Sequence, residues 1–169
     1  MAECAPIAWA NPSSTHAAGR ASRQLLEDAR DSIAEALGVK SADLVLTAGG
    51  TEACNLGIRA VLSDRKRVLT TAVEHPAVRQ SVERLRRRGV EVFVLEVPRG
   101  VPPSVEQLDE QLDEQTAVAV QWINHETGTL FPIEDYARVC RERGARLFVD
   151  ATQALGKLPL RLASLQADA

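Results

Sequence analysis

The sequence has few cysteines, no long apolar runs and no excess of basic residues, and each shortage argues against a class of protein. Its three cysteines are widely spaced, form no Cys-x-x-Cys pair and have no histidine at a zinc-ligand interval, which argues against a disulfide framework and against a zinc site. No window approaches the roughly 18 apolar residues that a membrane-spanning helix needs. With a net charge of −3, the chain also lacks the basic excess that is typical of nucleic-acid-binding proteins.

The N-terminal segment lacks the marks of an exported protein. Residues 1–9 have neither the basic flank nor the long apolar stretch of a secretory signal, so a cytoplasmic protein is expected. The remaining features are those of an ordinary globular protein: 169 residues, 45% hydrophobic and 25% charged, enough for one domain with a core. Cys4 lies in this segment, whereas Cys54 and Cys140 fall within helical patterns, where a free cysteine behaves as a small buried apolar residue.

Helix-like and strand-like patterns alternate along the chain. Apolar residues recur every four positions from Gly19 to Leu37, which predicts an amphipathic helix that ends at Gly38. Short runs rich in Val, Leu or Phe predict strands at 43–47, 67–71, 90–95, 116–122 and 145–149. The segments between these runs predict helices at 51–62, 76–88, 104–113 and 133–143. This order predicts an α/β fold of three layers, in which helices cover both faces of a mostly parallel sheet.

The polar loops after the predicted strands are the candidate sites of chemistry, because ligands of open α/β sheets bind at the carboxyl ends of strands. Gly49, Gly50 and Thr51 follow the first predicted strand and offer N–H groups and a hydroxyl to a phosphate at a helix N-terminus. The alternative is a plain strand-to-helix turn with Thr51 as the N-cap. The loop lacks both the lysine of a Walker loop and the third glycine of a dinucleotide-binding loop, which weakens the hypothesis of a nucleotide-binding protein.

Other loops add side chains that suit a flat cofactor. His75 begins a predicted helix and could stack on a ring, although a polar helix cap is the ordinary alternative. His125 lies in a polar turn that follows the fourth predicted strand. Asp150 closes the last strand, where a carboxylate either caps the next turn or pairs with a cation such as the ring nitrogen of pyridoxal phosphate. A phosphate cradle and this carboxylate together predict a pyridoxal phosphate site.

These loops resemble those of the cysteine desulfurases, which form part of the class V aminotransferase group. The similar segments occur in the same order from about residue 10 to the last residue, at 11–16, 47–55, 74–78, 124–128 and 149–154. The resemblance implies a pyridoxal phosphate enzyme of fold type I. Residues 1–169 would then form part of its large, cofactor-binding domain, without the C-terminal small domain.

The resemblance also implies roles for individual residues. Thr51 and the backbone of Gly50 would hold the cofactor phosphate, and His75 would stack on the pyridine ring. Asp150 would pair with the ring nitrogen, and Gln153 would hydrogen-bond the phenolic oxygen. No metal site is expected.

The chain departs from the family pattern in two ways. His125 stands where the family usually has an asparagine that reaches the ring. The family's cofactor lysine lies in a Ser-x-His-Lys stretch that this chain lacks, as it lacks the catalytic cysteine loop, and its own lysines are Lys40, Lys66 and Lys157. The chain is therefore expected to be an incomplete piece, whether truncated, the product of a disrupted gene or one half of a split enzyme, and to be inactive alone.

The function implied for the complete enzyme is the conversion of L-cysteine to L-alanine. Its sulfur would pass to an enzyme persulfide for iron–sulfur cluster or thio-cofactor assembly. The resemblance further implies a homo-oligomer that works with sulfur-acceptor proteins. The charge and the apolar pattern predict neither a nucleic-acid nor a membrane partner. Two alternatives stay open: a selenocysteine lyase or another class V aminotransferase, and a non-catalytic remnant that serves as a binding or dimerising module.

Overall fold

The structure, a computed structural model, describes Pro6 and residues 8–160 and 162–169. Cys4 and most of the N-terminal segment 1–9 lie outside the described residues. The chain divides into two compact units, residues 1–46 with 161–163 and residues 47–160 with 164–169. Its regular elements are α1 (Ala17–Leu37), α2 (Gly50–Leu62), β1 (Arg67–Thr71), α3 (Pro76–Arg86), β2 (Glu91–Leu95), α4 (Val105–Asp109), β3 (Thr116–Gln121), α5 (Ile133–Glu142), β4 (Arg146–Asp150) and α6 (Leu162–Leu165). None of the helices in the described part of the chain is both long and apolar enough to cross a membrane.

Local hydrogen bonds define both ends of α1 in the first unit. His16 precedes the helix, and its Nδ1 accepts a hydrogen bond from the N–H of Gly19 at 3.1 Å. Gly38 closes the helix in the left-handed conformation, with φ 69°, and its N–H donates to the carbonyls of Ala34 and Glu35. The predicted amphipathic helix and its glycine stop are therefore confirmed.

The strand predicted at 43–47 is wrong. Ser41–Asp43 form a 3₁₀ turn, and residues 44–47 belong to no strand. Leu44 is extended, with φ −96° and ψ 128°, but a strand also needs a neighbouring strand to pair with. The N–H of Leu44 instead donates to the carbonyl of Ser41, and its carbonyl accepts from the side chain of Arg30. The apolar side chains that suggested burial are exposed instead, 75% for Val45 and 41% for Leu46.

The second unit is built on a parallel sheet of four strands in the order β2-β1-β3-β4. Strand β3 lies inside this order, and every one of its residues is buried. In the register of the sheet, Gln121 lies beside Asp150, so the carboxyl ends of β3 and β4 are level. The four later strand predictions are confirmed, and the last strand runs one residue further than predicted, to Asp150, because this residue still pairs with β3.

Helices cover both faces of the sheet, as predicted. The core on one face joins α2 and α3 to the sheet through Cys54, Ile58, Val61, Leu62, Val78, Val82 and Leu85 of the helices and Val68, Ala117, Ala119 and Phe148 of the strands. On the other face α5 contacts β4 and buries Tyr136 and Cys140. The predicted burial of Cys54 and Cys140 is therefore confirmed. Helix α4 ends at Asp109, short of the predicted residue 113, because the Asp113 carboxylate instead accepts hydrogen bonds that shape the turn into β3.

The close approach of α2 to β4 depends on Gly57, which leads to a prediction. A Cβ on Gly57 would lie 2.6 Å from Cε2 of Phe148, closer than real Cβ atoms approach. Alanine normally stabilises a helix by about 1 kcal/mol relative to glycine. We expect the reverse here, with Gly57→Ala lowering the free energy of unfolding in urea by about 1–3 kcal/mol because the buried ring must move.

Two further variants make this test specific. Gly49→Ala is the control, because a Cβ on Gly49 meets no atom within 4 Å and its φ of 161° is extended. Adding Phe148→Leu to Gly57→Ala should recover part of the loss, since the smaller side chain leaves room for the methyl group. A Gly57→Ala chain as stable as the unmodified chain would contradict the packing described here.

Candidate active site

A cavity of about 200 Å³ lies at the carboxyl edge of the sheet. Its walls come from the start of α2, the loop after β1, the end of β3 with the turn that follows it, and the end of β4 with its loop. The lining residues are Gly50, Thr51, Cys54, His75, Gln121, Ile123, His125, Asp150, Thr152 and Gln153. The structure thus brings together every site residue named from the sequence: Gly50, Thr51, His75, His125, Asp150 and Gln153.

The start of α2 presents unpaired amide groups to this cavity. The helix begins at Gly50 after Gly49, and no side chain caps it. Its first internal hydrogen bond runs from the N–H of Ala53 to the carbonyl of Gly49 at 3.0 Å, and the amides of residues 50–52 have no partner among the described residues. Thr51 therefore lies inside the first turn and is not the N-cap. Such a helix end attracts an anion.

His75 is held in one orientation at the start of α3. Its Nδ1 accepts a hydrogen bond from the N–H of Ala77 at 3.1 Å, so in the neutral ring the proton is assigned to Nε2. His75 therefore caps helix α3, as the ordinary alternative predicted. The same ring also lines the cavity, so the two interpretations of His75 are compatible.

The rings of His125 and His75 contact each other in the wall of the cavity. The two ring centroids lie 5.1 Å apart, with the planes at 74°. The buried Asn124 holds the turn that carries His125, because its Oδ1 accepts the N–H of Glu126 at 3.0 Å and its Nδ2 donates to the carbonyl of Val73 at 3.2 Å. Asn124 is therefore occupied with the backbone, and His125 presents its ring to the cavity, with Nε2 lying 3.8 Å from Oε1 of Glu126.

Asp150 and Gln153 complete the far side of the cavity. Oδ1 of the buried Asp150 accepts the N–H of Thr152 at 3.0 Å, as the turn-capping alternative requires. Gln153 accepts a hydrogen bond from Nζ of Lys157 on its Oε1 at 2.5 Å, which leaves its amide nitrogen as a donor. The loop after β4 thus offers one carboxylate and one amide donor to a bound molecule.

Sequence analysis missed several lining residues. Cys54 was assigned only to the core, yet it lies one helical turn after Thr51 and lines the same cavity. Gln121 lies beside Asp150 in the sheet register, and Thr152 follows Asp150 in the next turn. Helical spacing from Thr51 could have suggested Cys54, whereas the place of Gln121 depends on strand register.

A buried carboxyl group, Glu74, lies directly before His75. Its Oε1 accepts a hydrogen bond from the hydroxyl of Thr71 at 2.6 Å, whereas its Oε2 is buried without a partner among the described residues. Burial, opposed in part by the hydrogen bond from Thr71, raises the pKa of Glu74 to about 8. Glu74 therefore holds a proton at neutral pH.

The raised pKa of Glu74 predicts a pH-dependent stability. Because the folded-state pKa of about 8 exceeds the ordinary value of 4.5, the stabilising contribution of the protonated group is complete below pH 4.5 and is lost as the pH rises to 8. The free energy of unfolding should fall across this window, by at most about 1.4 kcal/mol per pH unit. Denaturant unfolding at a series of pH values measures this slope.

The Glu74→Gln variant isolates that effect. The amide has the same size and still accepts from Thr71, but it does not ionise. We expect a shallower pH slope than in the unmodified chain and higher stability at pH 8, whereas Glu142→Gln, at the exposed end of α5, should leave the slope unchanged. An undiminished slope in Glu74→Gln would show that another group causes it.

The fold and the cavity define an α/β protein with an anion-attracting helix end, a buried carboxylate and two histidines at the carboxyl edge of a parallel sheet. The family model described as aminotransferase class V matches residues 7–169. The chain therefore belongs to the class V aminotransferase family.

Curated and solved relatives agree with this assignment. The chain is 39% identical to a cysteine desulfurase of Nostoc sp. over 158 residues, which is 91% of this chain and 40% of that protein. A solved structure described as SspA in complex with cysteine is 28% identical and superposes with a TM-score of 0.89 over 95% of this chain and 48% of that one. A variant of C-DES with glycine covalently linked to its PLP cofactor is 25% identical, with a TM-score of 0.83 over 99% and 46%. The chain thus spans about 40% of the length of the curated relative.

Proposed function

We propose that the cavity holds pyridoxal phosphate and that the chain is the large-domain part of a cysteine desulfurase. One observation carries the proposal: every residue to which the family resemblance gives a cofactor contact lines the same cavity of about 200 Å³. The complete enzyme would convert L-cysteine to L-alanine and pass the sulfur to acceptor proteins as a persulfide. The additional length of the relatives would supply the cofactor lysine, the nucleophilic cysteine and the small domain.

The phosphate suits the start of α2. The unpartnered amides at residues 50–52 point along the helix axis, and the Thr51 hydroxyl adds a donor beside them. Positive charge from the helix dipole favours an anion at the same place. A Cβ at position 50 would lie 3.1 Å from Oγ1 of Thr152, which is a tight contact. Because Gly50 has no side chain, the loop after β4 can lie directly against the start of α2.

The other lining residues suit a flat ring. His75, oriented by its bond to Ala77, would lie against one face. Asp150 would hold a proton at the ring nitrogen, and Gln153 would donate its amide N–H to the phenolic oxygen. When bound, pyridoxal phosphate draws electrons from the α carbon of an amino acid. His125 would donate to the ring system or to the substrate, where the family usually has an asparagine.

The substrate and the partners belong to this proposal as well. A relative of this chain is described in complex with cysteine, which favours cysteine over selenocysteine. We infer a homo-oligomer and sulfur-acceptor partners from the family resemblance.

A fluorescence titration tests the cofactor site. Trp122 directly follows the lining residue Gln121, so a Trp9→Phe chain reports on the cavity through a single tryptophan. We expect saturable quenching of Trp122 by pyridoxal phosphate and a much weaker effect of pyridoxal, which lacks the phosphate that the start of α2 would bind. Thr51→Ala should weaken the quenching, whereas Asp135→Asn, at the start of α5, should not. Quenching that fails to saturate, or equal affinity for both compounds, would disprove the site.

A further inference from the structure

Helix α2 faces β4 and its loop along one stripe of residues. Gly50, Cys54 and Gly57 follow the i, i+4, i+7 spacing of one helix face. A Cβ on Gly50 would meet Thr152 at 3.1 Å, and a Cβ on Gly57 would meet Phe148 at 2.6 Å. Position 54 therefore lies opposite position 150, midway between these two contacts, and both residues line the cavity.

The close approach of the helix at both glycines brings a short side chain at position 54 towards the Asp150 carboxylate, in the cavity that both residues line. Cys54 is 4% exposed. Burial, and after it the negative charge of Asp150, raise the pKa of the Cys54 thiol to about 12. The thiol therefore keeps its proton across the physiological range, and it can only donate to a carboxylate.

We propose that Cys54 is a positioning residue whose thiol donates a hydrogen bond to Asp150 and, together with the N–H of Thr152, fixes the direction in which this carboxylate faces the cavity. The hydrogen bond is a property of the chain itself. Its consequence for cofactor affinity rests on the proposed function, in which Asp150 meets the ring nitrogen. Without the thiol, the carboxylate keeps only the Thr152 bond at 3.0 Å and can rotate about it.

Infrared spectroscopy of the free chain tests the hydrogen bond directly, because an S–H stretch moves to lower wavenumber when the thiol donates. A chain carrying Cys4→Ser and Cys140→Ser retains Cys54 alone, and the matched chain carrying Cys4→Ser and Cys54→Ser retains Cys140, which is equally buried. We expect the Cys54 band at lower wavenumber than the Cys140 band. Adding Asp150→Asn should raise the Cys54 band, since a neutral amide is a weaker acceptor, and leave the Cys140 band in place. A Cys54 band that does not respond to Asp150→Asn would overturn the proposal.

Two further measurements test positioning. Cys54→Ala should move the amide proton resonance of Thr152, whereas Cys140→Ala should not, because only the first change frees the carboxylate. Cys54→Ala should also weaken pyridoxal phosphate binding by about 3- to 10-fold, and Cys54→Ser, which keeps a donor, should restore most of it. If the unmodified chain binds no pyridoxal phosphate, the proposed function fails, and the infrared band with the Thr152 resonance still decides the role of Cys54. An unmoved Thr152 resonance in Cys54→Ala would refute positioning.

Discussion

The Asp150→Ala chain is expected to bind pyridoxal phosphate about 10- to 100-fold more weakly than the unmodified chain. Asp150 is the charged group at the end of β4, buried and oriented by the Thr152 amide, so in the proposed site it is the partner of the protonated ring nitrogen. Hydrogen bonds to charged groups contribute about 1.5–3 kcal/mol, which sets this range. Titration of Trp122 fluorescence in the Trp9→Phe background measures the loss.

Asp150→Asn separates the charge from the shape of the site. The amide preserves the volume and can still accept the Thr152 N–H, but it cannot hold a proton at the ring nitrogen by charge. We therefore expect its affinity to fall nearly as far as that of Asp150→Ala. Asp135→Asn, which removes an exposed carboxylate from α5, should leave the affinity unchanged. Asp150 variants with unaltered affinity would place the cofactor elsewhere.

Cysteine added to the cofactor-treated 169-residue chain is expected to release no sulfide. The proposed chemistry needs a lysine that links to the cofactor and moves the α proton, together with a reactive thiolate. Of the lysines, Lys157 is nearest in sequence to the site residues, and its Nζ donates to Gln153. Burial raises the pKa of the thiols of Cys54 and Cys140 to about 12, so neither is a thiolate near neutral pH.

Borohydride reduction followed by peptide mass mapping checks the lysine half of this prediction, and a sulfide assay checks the other half. We expect weak labelling scattered over Lys40, Lys66 and Lys157, without sulfide. The Lys157→Arg variant should likewise show weak labelling of its remaining lysines and release no sulfide. Stoichiometric labelling of one lysine together with turnover would show that the chain contains its own catalytic amine.

Local sequence predicted the elements whose pattern agreed with their later burial. The strands β1, β3 and β4 were found because their apolar runs are buried in the sheet, whereas the run of β2 is only half-buried but has β1 as its partner. Helix α1 was found because its apolar period and Gly38 coincide. The run at 43–47 has the same composition as a strand, yet Val45 and Leu46 are exposed and unpaired. Strand formation requires a partner, which is a property of the tertiary structure and not of the run itself.

The sequence by itself determined the α/β class, the start and stop of α1, and the loops that follow strands of the sheet, because these depend on residue type and local periodicity. It thereby selected His75 and Asp150, whose loops must meet at one edge once β1 and β4 are parallel. Thr51 was selected through a predicted strand that does not form, so only the tertiary structure places the start of α2 at this edge. Only the tertiary structure decided that Cys54 lines the same cavity as Asp150 and that Glu74 holds a proton. The first depends on how closely α2 packs on the sheet, and the second depends on how fully the carboxyl group of Glu74 is removed from water. Both depend on contacts between segments far apart in the chain.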